Sequence, residues 1–84
     1  MTAEPIETLV RRFLHDEFEV DESDLGPDTP LVTTGLLDSA GLVRLAALIE
    51  AATGIVIPDR DINADNFDTL ARIAAYLARR RSEG

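Results

Sequence analysis

The sequence predicts an all-α fold, a four-helix bundle of three main helices and one short third helix, on three observations. Apolar residues recur at three- and four-residue steps in three separate stretches. Each stretch is bounded by proline, glycine or a capping side chain, and no two apolar runs could pair as strands. Eighty-four residues suit one domain, 1–84, and leave no room for a second, because a chain of this size buries only about 60 to 65% of its unfolded surface. Hydrophobic residues make up 45% and charged residues 29%, the balance of a chain that folds rather than of a disordered tail.

The first helix is expected from about Glu4 to Glu19. Ile6, Leu9, Val10, Phe13, Leu14 and Phe18 share one stripe, and Pro5 suits the first turn, where a missing N–H costs nothing. A long loop follows, with seven acids and no base between Asp16 and Asp28, broken by Gly26, Pro27 and Pro30. Loops of this length within a small domain are functional or pinned down, so Val20, Leu25, Leu31, Leu36 and Leu37 are expected to anchor it to the helices. The second helix begins at Ser39, runs about fourteen residues with Leu42, Leu45, Ala46 and Ile49 on its buried stripe, and ends at Thr53-Gly54, a glycine C-cap.

Ile55-Val56-Ile57 has strand-like residues but no partner run, and reads as an extended connector before Pro58. Asn63 is expected to cap a single turn through Phe67. Asp68 is expected to cap a last helix that buries Leu70, Ile73, Ala74 and Leu77. Arg79, Arg80 and Arg81 fall in its final turn, where cations complement the helix dipole.

Charge and composition remove several functions. Sixteen acids against eight bases give a net charge of −8, which repels phosphate backbones and anionic lipid, so neither nucleic acid nor membrane is an expected partner. All eight bases are arginine, which leaves no amine for a Schiff base. The absence of cysteine removes disulfides, thiolate metal sites and thiol nucleophiles, and points to the cytoplasm. Met1 to Ile6 lacks the cations and apolar run of a secretory signal, and no stretch approaches ~18 apolar residues. His15 is the single histidine, no Asp-rich calcium loop is present, and the five glycines are scattered, so no metal site or phosphate loop is expected.

What remains is Gly35-Leu36-Leu37-Asp38-Ser39, which opens directly onto the second helix. On spacing alone it reads as a cap, with Ser39 at the N-cap and Asp38 favouring the positive end of the dipole.

The segment gains a second meaning from its company. Together with Leu42-Val43-x-Leu45, Gly54-Ile55-x-Ile57-Pro58 and Asp65-Asn66-Phe67-Asp68-Thr69, it resembles the acyl carrier and peptidyl carrier superfamily over nearly the whole chain. The likeness is greatest to discrete acyl or aminoacyl carriers of polyketide and nonribosomal peptide pathways and to D-alanyl carriers. The resemblance implies a carrier-type bundle and a non-catalytic protein whose Ser39 receives 4′-phosphopantetheine from coenzyme A, with Asp38 as the adjacent acid of the recognition site. A serine at a helix start is exposed and stands near unsatisfied N–H groups, which favour an attached phosphate. The implied partners are a phosphopantetheinyl transferase, an adenylation enzyme or acyl ligase, and an acyltransferase or a polyketide or peptide synthase. The carrier is expected to act as a monomer.

A partner surface is expected beside Ser39, on the side of the second helix away from its buried stripe. That side presents Ala40, Val43, Arg44, Ala47 and Ala51, with Leu48 at the margin. Apolar packing at Val43 and Ala47, Arg44 facing a partner carboxylate, and loop acids steering from the rim form the expected contact. The alternative for Val43 and Leu48 is packing on the loop. Many carriers have a richly acidic second helix; here Arg44 and Glu50 cancel, and Ala40 stands where relatives commonly carry a larger apolar residue. Two other readings stay open: a helical interaction module in which Ser39 is only a cap, and a serine enzyme in which His15 approaches Ser39.

Overall fold

The computed structural model describes residues 6–83. It is all-helical, in the order α1 (Ile6–Phe18), a 3-10 turn (Glu22–Asp24), α2 (Ser39–Thr53), a second 3-10 turn (Asp59–Asp61), α3 (Ala64–Phe67) and α4 (Leu70–Glu83). This is the predicted bundle of three main helices and one short one. The expected start of α1 at Glu4, with Pro5 in its first turn, lies outside the described residues.

Helix α1 ends one residue before the expected Glu19. Glu19 adopts φ 56°, its N–H donates to the His15 carbonyl at 3.1 Å, and the Val20 N–H reaches back to Leu14 at 3.4 Å. This is a left-handed helix stop built on glutamate rather than glycine. Helix α2 ends as predicted at Gly54, φ 76°, whose N–H donates to the Glu50 carbonyl.

Val10 and Leu14 of α1, Leu45 and Ile49 of α2, Phe67 of α3, and Ile73 and Leu77 of α4 meet in one fully buried core. All four residues of the α2 stripe are buried, and so are the loop anchors Leu25, Leu31 and Leu37, while Val20 and Leu36 pack partly buried against them. The loop is thereby part of the core, which gives its irregular backbone an ordered course. The connector 55–57 is extended, forms no strand, and is tied to α2 by the Glu50 carboxylate, which accepts the Ile57 N–H at 2.6 Å.

Two expectations about α4 are corrected. Ala74 is exposed, and Tyr76 is buried in its place, because α3 packs against α4 and draws the buried stripe toward Phe67, whose ring lies 5.5 Å from that of Tyr76. Asp68 does not cap α4. Its backbone (φ −68°, ψ −29°) continues the turn of α3, whereas an N-cap needs an extended conformation. The cap is Thr69, whose Oγ1 accepts the Arg72 N–H at 3.0 Å, and the Pro27 carbonyl of the loop accepts the Ala71 N–H.

Candidate functional site

The start of α2 is shaped by Asp38, and here the cap assignment is also corrected. Asp38 is extended (φ −83°, ψ −179°) and its carboxylate accepts the Gly41 N–H at 2.7 Å. Its carbonyl accepts the Leu42 N–H at 2.8 Å. Asp38 is therefore the N-cap and Ser39 the first helical residue. Carboxylate and hydroxyl compete for the same orphan donors, and the extended residue wins them.

Ser39 is left exposed, with a hydroxyl not needed by the helix. Among the described residues nothing accepts a hydrogen bond from the N–H groups of Ser39 and Ala40. The side chains beside it are small: Ala40 is exposed, and Gly41 is buried under Phe18 of α1. An uncovered hydroxyl, two open N–H donors and the positive end of a fifteen-residue helix suit a phosphodiester, so the residues present fit a phosphate-linked group at this position.

The loop leading to Ser39 is held from the other side of the molecule. The Asp68 carboxylate accepts the N–H groups of Leu31, Val32 and Thr33 at 3.2, 2.8 and 3.0 Å, and the Thr33 hydroxyl as well. These bonds, led by the Thr33 N–H, hold its pKa below the ordinary carboxylate value against the opposing effect of burial. Asp21 caps the first 3-10 turn through the N–H and hydroxyl of Ser23, and the first of these bonds lowers its pKa.

The face of α2 predicted to meet partners is exposed at Ala40, Val43, Arg44 and Ala47. Val43 is 57% accessible, so it does not pack on the loop. Leu48 is half-buried and turns instead to α1, where it lines a groove of about 220 Å³ with Leu9 and Phe13. Arg44, whose charge balances that of Glu50 within α2, makes its contacts on α1. It pairs with Glu17 of α1 and lies over the Phe13 ring, 5.8 Å from its centroid.

His15 sits in the last turn of α1 and its Nδ1–H donates to the Val20 carbonyl at 3.1 Å. Among the described residues it makes no hydrogen bond to Ser39, and no group of three potential metal ligands occurs. The sequence reading missed Asp68 as an anchor of the loop, and Phe18 and Glu17 as the α1 contacts of the site. A glycine in the first turn of a helix was the available signal for Phe18, because glycine there costs stability unless something approaches closely.

Comparison with known proteins covers the same ground. Residues 8–77 match the family described as "Phosphopantetheine attachment site", a span that contains α2 with its first turn. Over 59 residues, 70% of this chain, the sequence is 46% identical to the lincomycin biosynthesis protein LmbN of Streptomyces lincolnensis. Over 52 residues, 62% of this chain, it is 40% identical to the D-alanyl carrier protein of Bacillus pumilus (strain SAFR-032). The match spans 21% of the length of LmbN and 67% of the D-alanyl carrier. With an open serine at the mouth of α2, a capping acid before it and a family match across the bundle, the chain belongs to the phosphopantetheine attachment-site family, whose covalent cofactor is 4′-phosphopantetheine.

Proposed function

We propose that Ser39 is the attachment residue and that the chain is a discrete, non-catalytic acyl or aminoacyl carrier of polyketide or nonribosomal peptide secondary metabolism. The observation that carries this reading is the exposed Ser39 in the first turn of α2, released from capping by Asp38. In the modification, the Ser39 hydroxyl gives up its proton, an Oγ–P bond forms, and the bond to the adenosine bisphosphate half of coenzyme A breaks. When bound, the group supplies a thiol that holds an acyl or aminoacyl unit as a thioester. Asp38 keeps the first turn of α2 in place during that encounter.

A separate phosphopantetheinyl transferase performs the attachment, so Ser39 needs no base from this chain. An adenylation enzyme or acyl ligase loads the carrier, and an acyltransferase or synthase unloads it. The name of LmbN, a lincomycin biosynthesis protein, favours an antibiotic pathway, and the D-alanyl carrier favours adenylation as the loading chemistry. A cofactor drawn from coenzyme A and ending in a thiol favours the reducing cytoplasm. Ala40, Val43 and Ala47 form the apolar contact, and Arg44 is available to a partner carboxylate that displaces Glu17.

Intact-mass measurement after incubation with coenzyme A, magnesium and a broad-specificity transferase tests the reading. One phosphopantetheinyl unit is expected on the wild type, located at Ser39 by fragmentation, and none on Ser39→Ala. A wild type that gains no mass sinks it.

A further inference from the structure

Ser39 is presented by a segment without helix or strand of its own, residues 25–38. Its course is set by a short relay of hydrogen bonds that begins far away in the chain. Asp68 holds Leu31 twice, accepting its N–H with the main-chain carbonyl at 2.6 Å and with the carboxylate at 3.2 Å. The same carboxylate takes the next two N–H groups. The Leu31 carbonyl in turn accepts the Leu37 N–H at 2.8 Å, two residues before Ser39. Between these ends, a turn closes through the Gly35 N–H on the Val32 carbonyl and the Thr34 hydroxyl on the Pro30 carbonyl. Asp38 then caps α2.

Resting on the reading of Ser39 as the attachment residue, we propose that Asp68 is a positioning residue for the modification of Ser39, acting through the Leu31–Asp38 segment. The argument is one of preorganisation. Three consecutive N–H groups converge on one carboxylate, an arrangement that holds a loop in a single form only while the charge is there. Asp68 is 8% accessible, and removing its carboxylate takes the acceptor from the part-buried N–H groups of Val32 and Thr33, leaving the segment tied to this point only by the Leu31 N–H on the main-chain carbonyl. The segment then samples several courses, and Ser39 is offered to the transferase in several orientations. The transferase must select or impose the productive one, which weakens the encounter.

A purely structural role for Asp68 makes a different prediction, because loss of stability elsewhere in the core would then slow modification equally. The test uses the full chain, coenzyme A, magnesium and a phosphopantetheinyl transferase, with the wild type, Asp68→Ala, Asp68→Asn and the core variant Ile73→Val. Ile73 is fully buried, and its shortening removes core stability while leaving every hydrogen bond of the relay its donor and acceptor. Loss of a buried charged acceptor is expected to lower kcat/KM toward the carrier about tenfold in Asp68→Ala. Asp68→Asn, which retains one carbonyl oxygen, is expected to fall roughly two- to threefold. In both, the fall is expected in KM for the carrier, with KM for coenzyme A unchanged and faster amide exchange confined to residues 32, 33 and 37. Ile73→Val is expected to be modified at the wild-type rate.

Wild-type kcat/KM in a folded Asp68→Ala, or equal slowing in Ile73→Val, overturns the proposal. If Asp68→Ala does not fold, Asp68→Asn carries the test, and wild-type kcat/KM there overturns it in the same way. A wild type that accepts no phosphopantetheinyl unit instead removes the attachment reading itself.

Discussion

Gly41 lies so close to Phe18 that a β-carbon added to it would stand 2.7 Å from Cζ of the ring, and 3.1 Å from the capping oxygen of Asp38. Helix α1 therefore seals the first turn of α2 from behind while Ser39 stays open in front. Gly41→Ala forces the ring aside at a cost of about 1 to 3 kcal/mol, offset in part by the roughly 1 kcal/mol advantage of alanine over glycine within a helix. The expected outcome is a net loss of stability in urea unfolding, together with a shift of the Phe18 ring resonances. An unchanged midpoint with unshifted Phe18 would show that the contact is slack.

Tyr76 is the only tyrosine, so its titration can be read directly in the absorbance of the whole protein. Its hydroxyl donates to Asp61 at 2.7 Å, and burial first, then the bond and the charge of Asp61, push its pKa from 10.0 up to about 12. The neutral phenol is the form the fold favours. Its contribution to stability is thus complete below the unfolded value near 10 and is lost as pH rises toward about 12. Asp61→Asn is expected to move the tyrosinate transition down but not to the free value, since burial remains. A wild-type transition near 10 would remove the basis for this.

At the end of α1, Glu19 holds a left-handed backbone with φ 56°, a conformation that disfavours any side chain with a β-carbon. Glu19→Gly is expected to raise unfolding free energy by roughly 0.5 to 1 kcal/mol. The gain should appear as a higher urea midpoint with the slope unchanged. Gly54, φ 76°, is the converse case: Gly54→Ala is expected to lose about 1 kcal/mol.

The Arg44 guanidinium, shared between Glu17 and the Phe13 ring, is more than half exposed. Removing such a pair changes stability by no more than about 1 kcal/mol. Its replacement should act on partners instead. Arg44→Glu is expected to lower kcat/KM of loading or unloading enzymes several-fold, in a salt-dependent manner, with the unfolding midpoint little moved. Glu17→Gln, which frees Arg44, is expected to act in the opposite direction. Unchanged kinetics with every partner would place the docking contact elsewhere.

The elements of this fold were legible in the chain wherever the governing pattern is local. Leu42, Leu45, Ala46 and Ile49 mark their helix face because the 3.6-residue period acts within two turns. Gly54 and Asn63 mark helix ends because a cap bonds to residues three or four away. The exposed Ser39 at the start of α2 belongs to this class, since it lies off the buried stripe that opens at Leu42. Even here, the choice between Asp38 and Ser39 as the cap turned on one backbone angle, which two adjacent capping residues do not reveal.

Relations between distant residues were settled only by the tertiary structure. Asp68 and Thr69 both suit a cap, and the chain does not say that Asp68 instead reaches 37 residues back to Leu31. Nor does it say that Tyr76 replaces Ala74 in the core, or that Glu17 of α1 pairs with Arg44. Each depends on how packed helices rotate and which loop amides are brought within hydrogen-bond reach. Local sequence determined where Ser39 stands, and packing determined what holds it there, because a hydrogen bond depends on distance in space rather than separation along the chain.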